Sequence, residues 1–379
     1  MRLIAALALL SAATFGFCGS VRGAETGFEV IDTAVISRHP HYFHGWPTML
    51  WHDGLLRVVY SGGREDHVCP FGRVEMIVSR DGGTTWAWPQ VLQDSAIDDR
   101  DTSLVVTKSG TLLVGYYGSL AYQGHLHAPE RRLAKVFGPQ LEEHLARWRN
   151  AELVTTADEK EKLRGPRMIR STDGGLTWSA PYVVPCFTPH GPTSLADGTL
   201  FYAGADGKKA GAWISNDDGR SWQLRAEIPV RAGEMHAIEA DDGTIVLQVR
   251  DKVPATSGVA AATVTGTLQT ESTDGGRTWT TPRPIVPGGY PSQLLRLRSG
   301  ALLMTYGVRV KPYGVRARLS DDRGRSWKAE MMLADDGAND NLGYPTTAEL
   351  QDGTLVTVWY EVTRDSKLAV LRQMRWKVR

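Results

Sequence analysis

The sequence predicts an all-β protein: a six-bladed β-propeller carrying a helical insertion in its second blade. Three observations predict it. A hairpin pattern is written six times, an octapeptide is written five times, and an otherwise even spacing is broken once. The 40 glycines and 12 tryptophans among 379 residues suit a turn-rich β fold better than a helical one. A formal net charge of +1 leaves no basic footprint for a nucleic-acid partner.

The hairpins read "WPTMLWHDGLLRVVY", "DTSLVVTKSGTLLVGYY", "HGPTSLADGTLFYAG", "MHAIEADDGTIVLQVR", "YPSQLLRLRSGALLMTYG" and "YPTTAELQDGTLVTVWYE". Each sets two apolar strands about a turn glycine: Gly54, Gly110, Gly198, Gly243, Gly300 and Gly353. Glycine there supplies the positive φ that a tight hairpin needs. With one exception these glycines stand 45 to 57 residues apart, room for one four-stranded blade each.

The octapeptides are "SRDGGTTW" from Ser79, "STDGGLTW" from Ser171, "SNDDGRSW" from Ser215, "STDGGRTW" from Ser272 and "SDDRGRSW" from Ser320. Each follows a hairpin and so lies between the outer two strands of a blade. The aspartate can accept bonds from the N–H groups of its own turn, the glycines take the left-handed backbone, and the tryptophan covers the turn. Five copies of one acid are architecture, not five catalytic groups.

The exception is the 88-residue gap from Gly110 to Gly198. The excess includes Leu133, Val136, Leu141, Leu145 and Trp148 at nearly helical spacing with charges between, which places helices within an insertion over about 120–165. Such a segment is either surface decoration or a lid beside the central pocket.

At the N-terminus one arginine precedes an apolar run from Leu3 to Phe17, followed by small residues. Residues 1–23 are therefore expected to be a secretory signal peptide, too short for a membrane anchor, with cleavage after Gly23. Phe15 and Phe17 are too bulky for lipidation at Cys18. The propeller occupies 24–379, in a secreted or periplasmic protein with no membrane span. Only Cys69 and Cys186 remain, and the sequence leaves their pairing open.

The octapeptide is an Asp box. With these hairpins the chain resembles the bacterial sialidase superfamily over essentially the whole of residues 24–379. That resemblance implies an active site at the propeller axis, with three arginines clamping a substrate carboxylate, a tyrosine nucleophile paired with a glutamate, and an aspartate acid/base. Tyr344 opens the last hairpin nine residues before Gly353, where the family has its tyrosine, and the strand ends in Tyr360 and Glu361. Glu234 stands nine residues before Gly243, and Arg250 sixteen after Glu234, resembling the paired glutamate and second arginine. The equal offset puts Tyr344 and Glu234 at equivalent inner-strand positions. A phenol of pKa about 10 needs such a neighbouring base to become a nucleophile. The plainer alternatives are a pocket-wall aromatic and a rim carboxylate. Arg309, with Arg316 as its rival, and Arg64 are the other clamp candidates, since two parallel bonds from a guanidinium grip a carboxylate as lysine cannot.

Two departures accompany the resemblance. "HGWPTML" has Gly45 where the family's first arginine stands, and "HVCPFGRVEM" has no aspartate in register, Pro70 being nearest. The proton donor is left among Asp66, Asp101, which shares the inward offset of nine from Gly110, and His67. His44, His190, His236 and Tyr290 are expected to line the pocket. Their spacing fits no metal signature, so neither metal nor cofactor is expected. The leading expectation is a monomeric exo-α-sialidase-like glycoside hydrolase releasing a terminal sialic acid or similar acidic sugar from glycans. The alternatives are another glycan-active propeller, hydrolase or lyase, and a non-catalytic glycan-binding propeller. The Tyr344–Glu234 pair separates the first from the binding module, which needs no such pair, and a complete carboxylate clamp separates it from the other enzymes.

Overall fold

The computed structural model describes residues 27–379 except 128–130, 208 and 256–262; the expected signal peptide over 1–23 and its cleavage point lie outside the described residues. The described residues form six four-stranded antiparallel sheets. Sequence-consecutive strands pair within each, as in blade one, where Phe43–His52, Leu55–Arg64, Arg73–Ser79 and Gln90–Gln93 run from the axis outward. The sixth blade is built differently. Its inner three strands are Leu342–Glu349, Leu355–Val362 and Ala369–Val378, and its outermost is Phe28–Val35 from the other end of the chain. This is why there are five octapeptides and not six: the sixth blade has no turn between its third and fourth strands.

The apolar core is divided into parcels, one between each pair of neighbouring blades. Leu56, Val58 and Tyr60 of blade one meet Val356, Val358 and Tyr360 of blade six, and corresponding clusters follow around the ring. Each sheet is thus buried on both faces by its neighbours. That accounts for the nearly continuous apolar runs in the second strands.

In the Asp boxes the serine shares the stapling with the aspartate. Ser171 Oγ accepts the N–H of Gly175 at 2.8 Å and donates to Asp173, whose carboxylate accepts from the N–H groups of Leu176 and Thr177. Ser79, Ser215, Ser272 and Ser320 repeat the glycine bond. Trp86 adds a link between blades, its indole N–H donating to Gln373 Oε1 at 2.9 Å. Ser171→Ala leaves the buried N–H of Gly175 unpaired and should lower stability by about 1–3 kcal/mol. Chemical denaturation would show this as a lower midpoint with activity per folded molecule retained; an unchanged midpoint would remove the serine from the staple.

The insertion leaves blade two after its second strand, Leu112–Ser119, and returns at its third, Gly165–Ser171. It holds α1 (Arg131–Phe137), α2 (Leu141–Leu153) and α3 (Ala157–Leu163), with a single 3₁₀ turn at Gly138–Gln140 between the first two. Thr156 and Glu159 form a capping box at the start of α3. Leu133, Leu145 and Trp148 are buried against Cys69, Ile97 and Tyr122, while Val136 and Leu141 are less enclosed. Glu65, at the end of blade one's second strand, anchors α2. Its carboxylate meets His144 Nδ1 at 3.1 Å and accepts from Arg147 Nη2 at 2.6 Å and Trp148 Nε1 at 2.7 Å. Burial works to raise the Glu65 pKa, but these three partners prevail and hold it below the usual range. Cys69 and Cys186 are both buried free thiols and do not pair. No described helix is long and apolar enough to cross a membrane.

Candidate active site

The inner strands begin with a repeated irregularity. Trp46, Asp101, His190 and Tyr344 all take left-handed backbone angles, φ 51°, 51°, 69° and 52°. In blades one, two and six the strand register shifts at that point, between Gly45 and Thr48, Arg100 and Ser103, and Gly343 and Thr346. A bulge inserts an extra residue and re-aims its side chain. Non-glycine residues in this region are uncommon and gather where function needs them. Four blades thus carry a re-aimed side chain at the start of the inner strand. Glu234 reaches the same centre just before blade four's inner strand, its carbonyl accepting the N–H of Arg250 at 2.8 Å.

The site forms around Tyr344. Its phenol donates to Glu234 Oε1, and Glu234 Oε2 accepts from Arg250 Nη1 at 2.8 Å. Burial, then the nearby Glu234 and Asp101 carboxylates, push the Tyr344 pKa well above its usual value, so the resting phenol keeps its proton. Arg309 lies over the rings of Tyr290 and Tyr344, 5.3 and 5.8 Å from their centroids. Its Nε donates to the carbonyl of Leu342 at 2.9 Å. Arg250 also covers Tyr290, at 4.6 Å. Asp101 is 22% exposed and accepts from Arg100 Nε at 3.1 Å through Oδ2, while its buried Oδ1 has no hydrogen-bond partner among the described residues. Burial raises the Asp101 pKa; Arg100 opposes this and the charge of Glu234 adds to it.

Of the expected residues, Tyr344, Glu234, Arg250, Arg309, Asp101 and Tyr290 are brought together. His190 borders them, its ring 6.2 Å from that of Tyr344, buried and held neutral by burial and by His236. The others belong elsewhere. Arg64 is fully buried in an ion pair with Asp98, Nη2 to Oδ2 at 2.9 Å, and has no free edge for a substrate. Glu361 is 1% exposed and bound to Arg372, because strand alternation turns it to the face opposite Tyr360. His44 is buried against Tyr60 with Nδ1 on Ser37 Oγ at 2.7 Å, and burial pushes its pKa down to about 3. His236 takes the N–H of Leu294 on Nδ1 and is a buried structural group. Arg316 is buried beside Glu330. Asp66 is 1% exposed, and the acid beside the tyrosine pair is Asp101. His67 packs on Trp46 and bonds Asn341 Oδ1 through Nδ1 at 3.2 Å, one ring removed from Tyr344.

Two site residues escaped the sequence reading, Arg100 and Trp46, and Tyr360 was read only as the end of its strand. A side chain at Gly45 would begin 2.8 Å from the Phe43 ring, so blade one has no room for an arginine there. Trp46 takes the re-aimed position instead, and the guanidinium of Arg100, from the neighbouring blade, lies 4.4 Å from its ring centroid. Arg100 thereby supplies a third arginine beside Arg250 and Arg309. The one available signal was its place next to Asp101, at the inward offset. Tyr360 packs on Tyr344 at 5.9 Å, and Arg309 Nη2 reaches its hydroxyl at 3.4 Å.

Comparison with known proteins agrees with this architecture. The BNR repeat-like domain family matches residues 144–357, more than half of the chain. A xyloglucanase from a Paenibacillus species is 29% identical over 204 residues, 51% of this chain and 19% of that protein. A sialidase from Bacteroides fragilis is 26% identical over 216 residues, 50% of this chain and 38% of that protein. The chain therefore spans well under two thirds of either curated relative. Among solved structures, a protein of unknown function from Dyadobacter fermentans superposes with a TM-score of 0.72 at 21% identity, covering 93% of this chain and 100% of that one; the likeness is one of fold.

Proposed function

This chain belongs to the BNR repeat-like domain family, as a six-bladed propeller related to sialidases, and from that premise we propose that it is a retaining exo-acting glycoside hydrolase for a terminal acidic sugar. The observation that carries the reading is the hydrogen bond from Tyr344 to Glu234 among Arg100, Arg250 and Arg309. A binding module needs no tyrosine whose proton is already directed at a base. Three arginines around two carboxylates leave the site cationic, which favours a carboxylated sugar over a neutral one.

On this reading Tyr344 Oη attacks the anomeric carbon while Glu234 Oε1 takes the phenolic proton. The bond to the leaving group breaks as Asp101 gives that oxygen its proton. Asp101, now ionised, then takes a proton from water as the water displaces the tyrosyl oxygen, and Tyr344 recovers its proton from Glu234. Two inversions give net retention. Arg250 holds Glu234 through Oε2 and leaves Oε1 to the phenol. The apolar run near the N-terminus supports a substrate met outside the cytoplasm.

A panel of fluorogenic glycosides tests the reading: an α-sialoside, α- and β-uronides, and a neutral β-glucoside, with a xyloglucan oligosaccharide added because of the Paenibacillus relative. Turnover confined to the acidic sugars is expected, and Arg100→Leu should raise KM on the cleaved sugar by about 10-fold or more. Turnover of the neutral substrates alone would overturn the acidic-sugar reading, and an unaltered KM would take Arg100 out of the clamp.

A further inference from the structure

A groove of about 500 Å³ lies between the helical insertion and blade six. Its walls include Lys135 and Val136 of α1, Asn341 from the segment leading to Tyr344, and Arg364 and Lys367 from the loop between blade six's second and third strands. The volume is within the roughly 300–1,000 Å³ typical of ligand sites. The buried rings of Phe43, Tyr360 and Trp46 stand between it and Tyr344, which packs on the latter two. Phe43 lines the groove and packs on Tyr360 at 5.9 Å; His67 bonds Asn341 on one side and packs on Trp46 at 4.8 Å on the other.

The charge of the groove is uneven. Lys135, Arg364 and Lys367 are all exposed, and none is ion-paired to a carboxylate among the described residues. Opposed to them are Asp340 and the buried Asp66. Cations on two separate elements, one on the insertion and two on a blade loop, face one channel.

We infer that this groove receives the second sugar of the substrate and that this sugar carries a negative charge, so the natural substrate is a polyanionic glycan and not one capped by a single acidic unit. The direction in which the leaving group departs rests on the proposed hydrolase reading. The insertion is then part of the substrate site, its α1 forming one bank.

Calorimetry on Tyr344→Phe tests this with N-acetylneuraminic acid, its α-linked dimer, sialyllactose, galacturonate and digalacturonate. One acidic dimer is expected to bind about 10-fold more tightly than its monomer, a difference of about 1.4 kcal/mol. Sialyllactose, whose next sugar is neutral, should bind no better than the monomer. Adding Arg364→Ala and Lys367→Ala should abolish the gain and leave monomer affinity unchanged. The inference is overturned if neither dimer gains over its monomer, if the gain survives loss of both cations, or if sialyllactose gains equally. Should the wild-type protein cleave nothing on the glycoside panel while the dimer gain appears and vanishes with the cations, the hydrolase reading falls and the groove stands. Cleavage without any dimer gain would instead keep the hydrolase and remove the groove from the substrate site.

Discussion

Tyr344→Phe is expected to lower kcat on the acidic glycoside by at least about 1,000-fold, or about 4 kcal/mol of barrier, while KM moves little. The substitution deletes one oxygen and keeps the ring that packs on Tyr360, Trp46 and His190. The fold loses one hydrogen bond, to Glu234, so Tm should shift by no more than about 3 °C. A loss in kcat at constant Tm separates a missing nucleophile from a damaged blade. Proton NMR of the first-formed product supplies the independent reading, with the retained anomer expected from wild type. An inverted anomer, or a near wild-type rate for Tyr344→Phe, would transfer the attack to a water activated by a carboxylate.

Asp101→Asn is expected to lower turnover of a natural glycan by about 100- to 10,000-fold, the range of general acid catalysis. With a fluorogenic aglycone the loss should be much smaller, because that oxygen departs without needing a proton. The pH profile gives the second signature. Asp101 has a raised pKa and must be protonated to act, so the rate falls as pH rises through that pKa. Asparagine should erase that high-pH limb. Asp66→Asn is the control: it should preserve that limb and the ordinary leaving-group dependence. If Asp66→Asn, and not Asp101→Asn, produced the leaving-group effect, the proton donor would lie on blade one after all.

The fold was legible because its signals are local and repeated. A serine, an aspartate and one or two glycines within one turn make their own hydrogen bonds, so five copies announce five blade edges without reference to anything distant. The offset from the turn glycine was informative for the same reason: it fixed the start of each inner strand and brought out Tyr344, Glu234 and Asp101. The misreadings share one physical origin, partners supplied from other strands. Nothing near Arg64 announces that Asp98 will bury it, and nothing near Glu361 announces Arg372 on its own face of the sheet. Arg100 stayed hidden because the missing blade-one arginine directed attention to blade one, whereas space forbade a side chain at Gly45 and the neighbouring blade filled the gap.

The closure of blade six sets a timetable for synthesis. The strand Phe28–Val35 emerges early, yet its partner is Ala369–Val378; Asp32 and Arg375, which meet across that pairing, lie 343 positions apart. At about 5–20 residues per second the first strand waits roughly 20–70 s for its neighbour, an open sheet edge throughout. Tyr344 is translated before that wait ends, but the strand that joins its hairpin to Phe28–Val35 does not yet exist. A ribosome stalled ahead of Ala369 would therefore hold a chain with five blades written, Tyr344 already made, and the ring of blades still open.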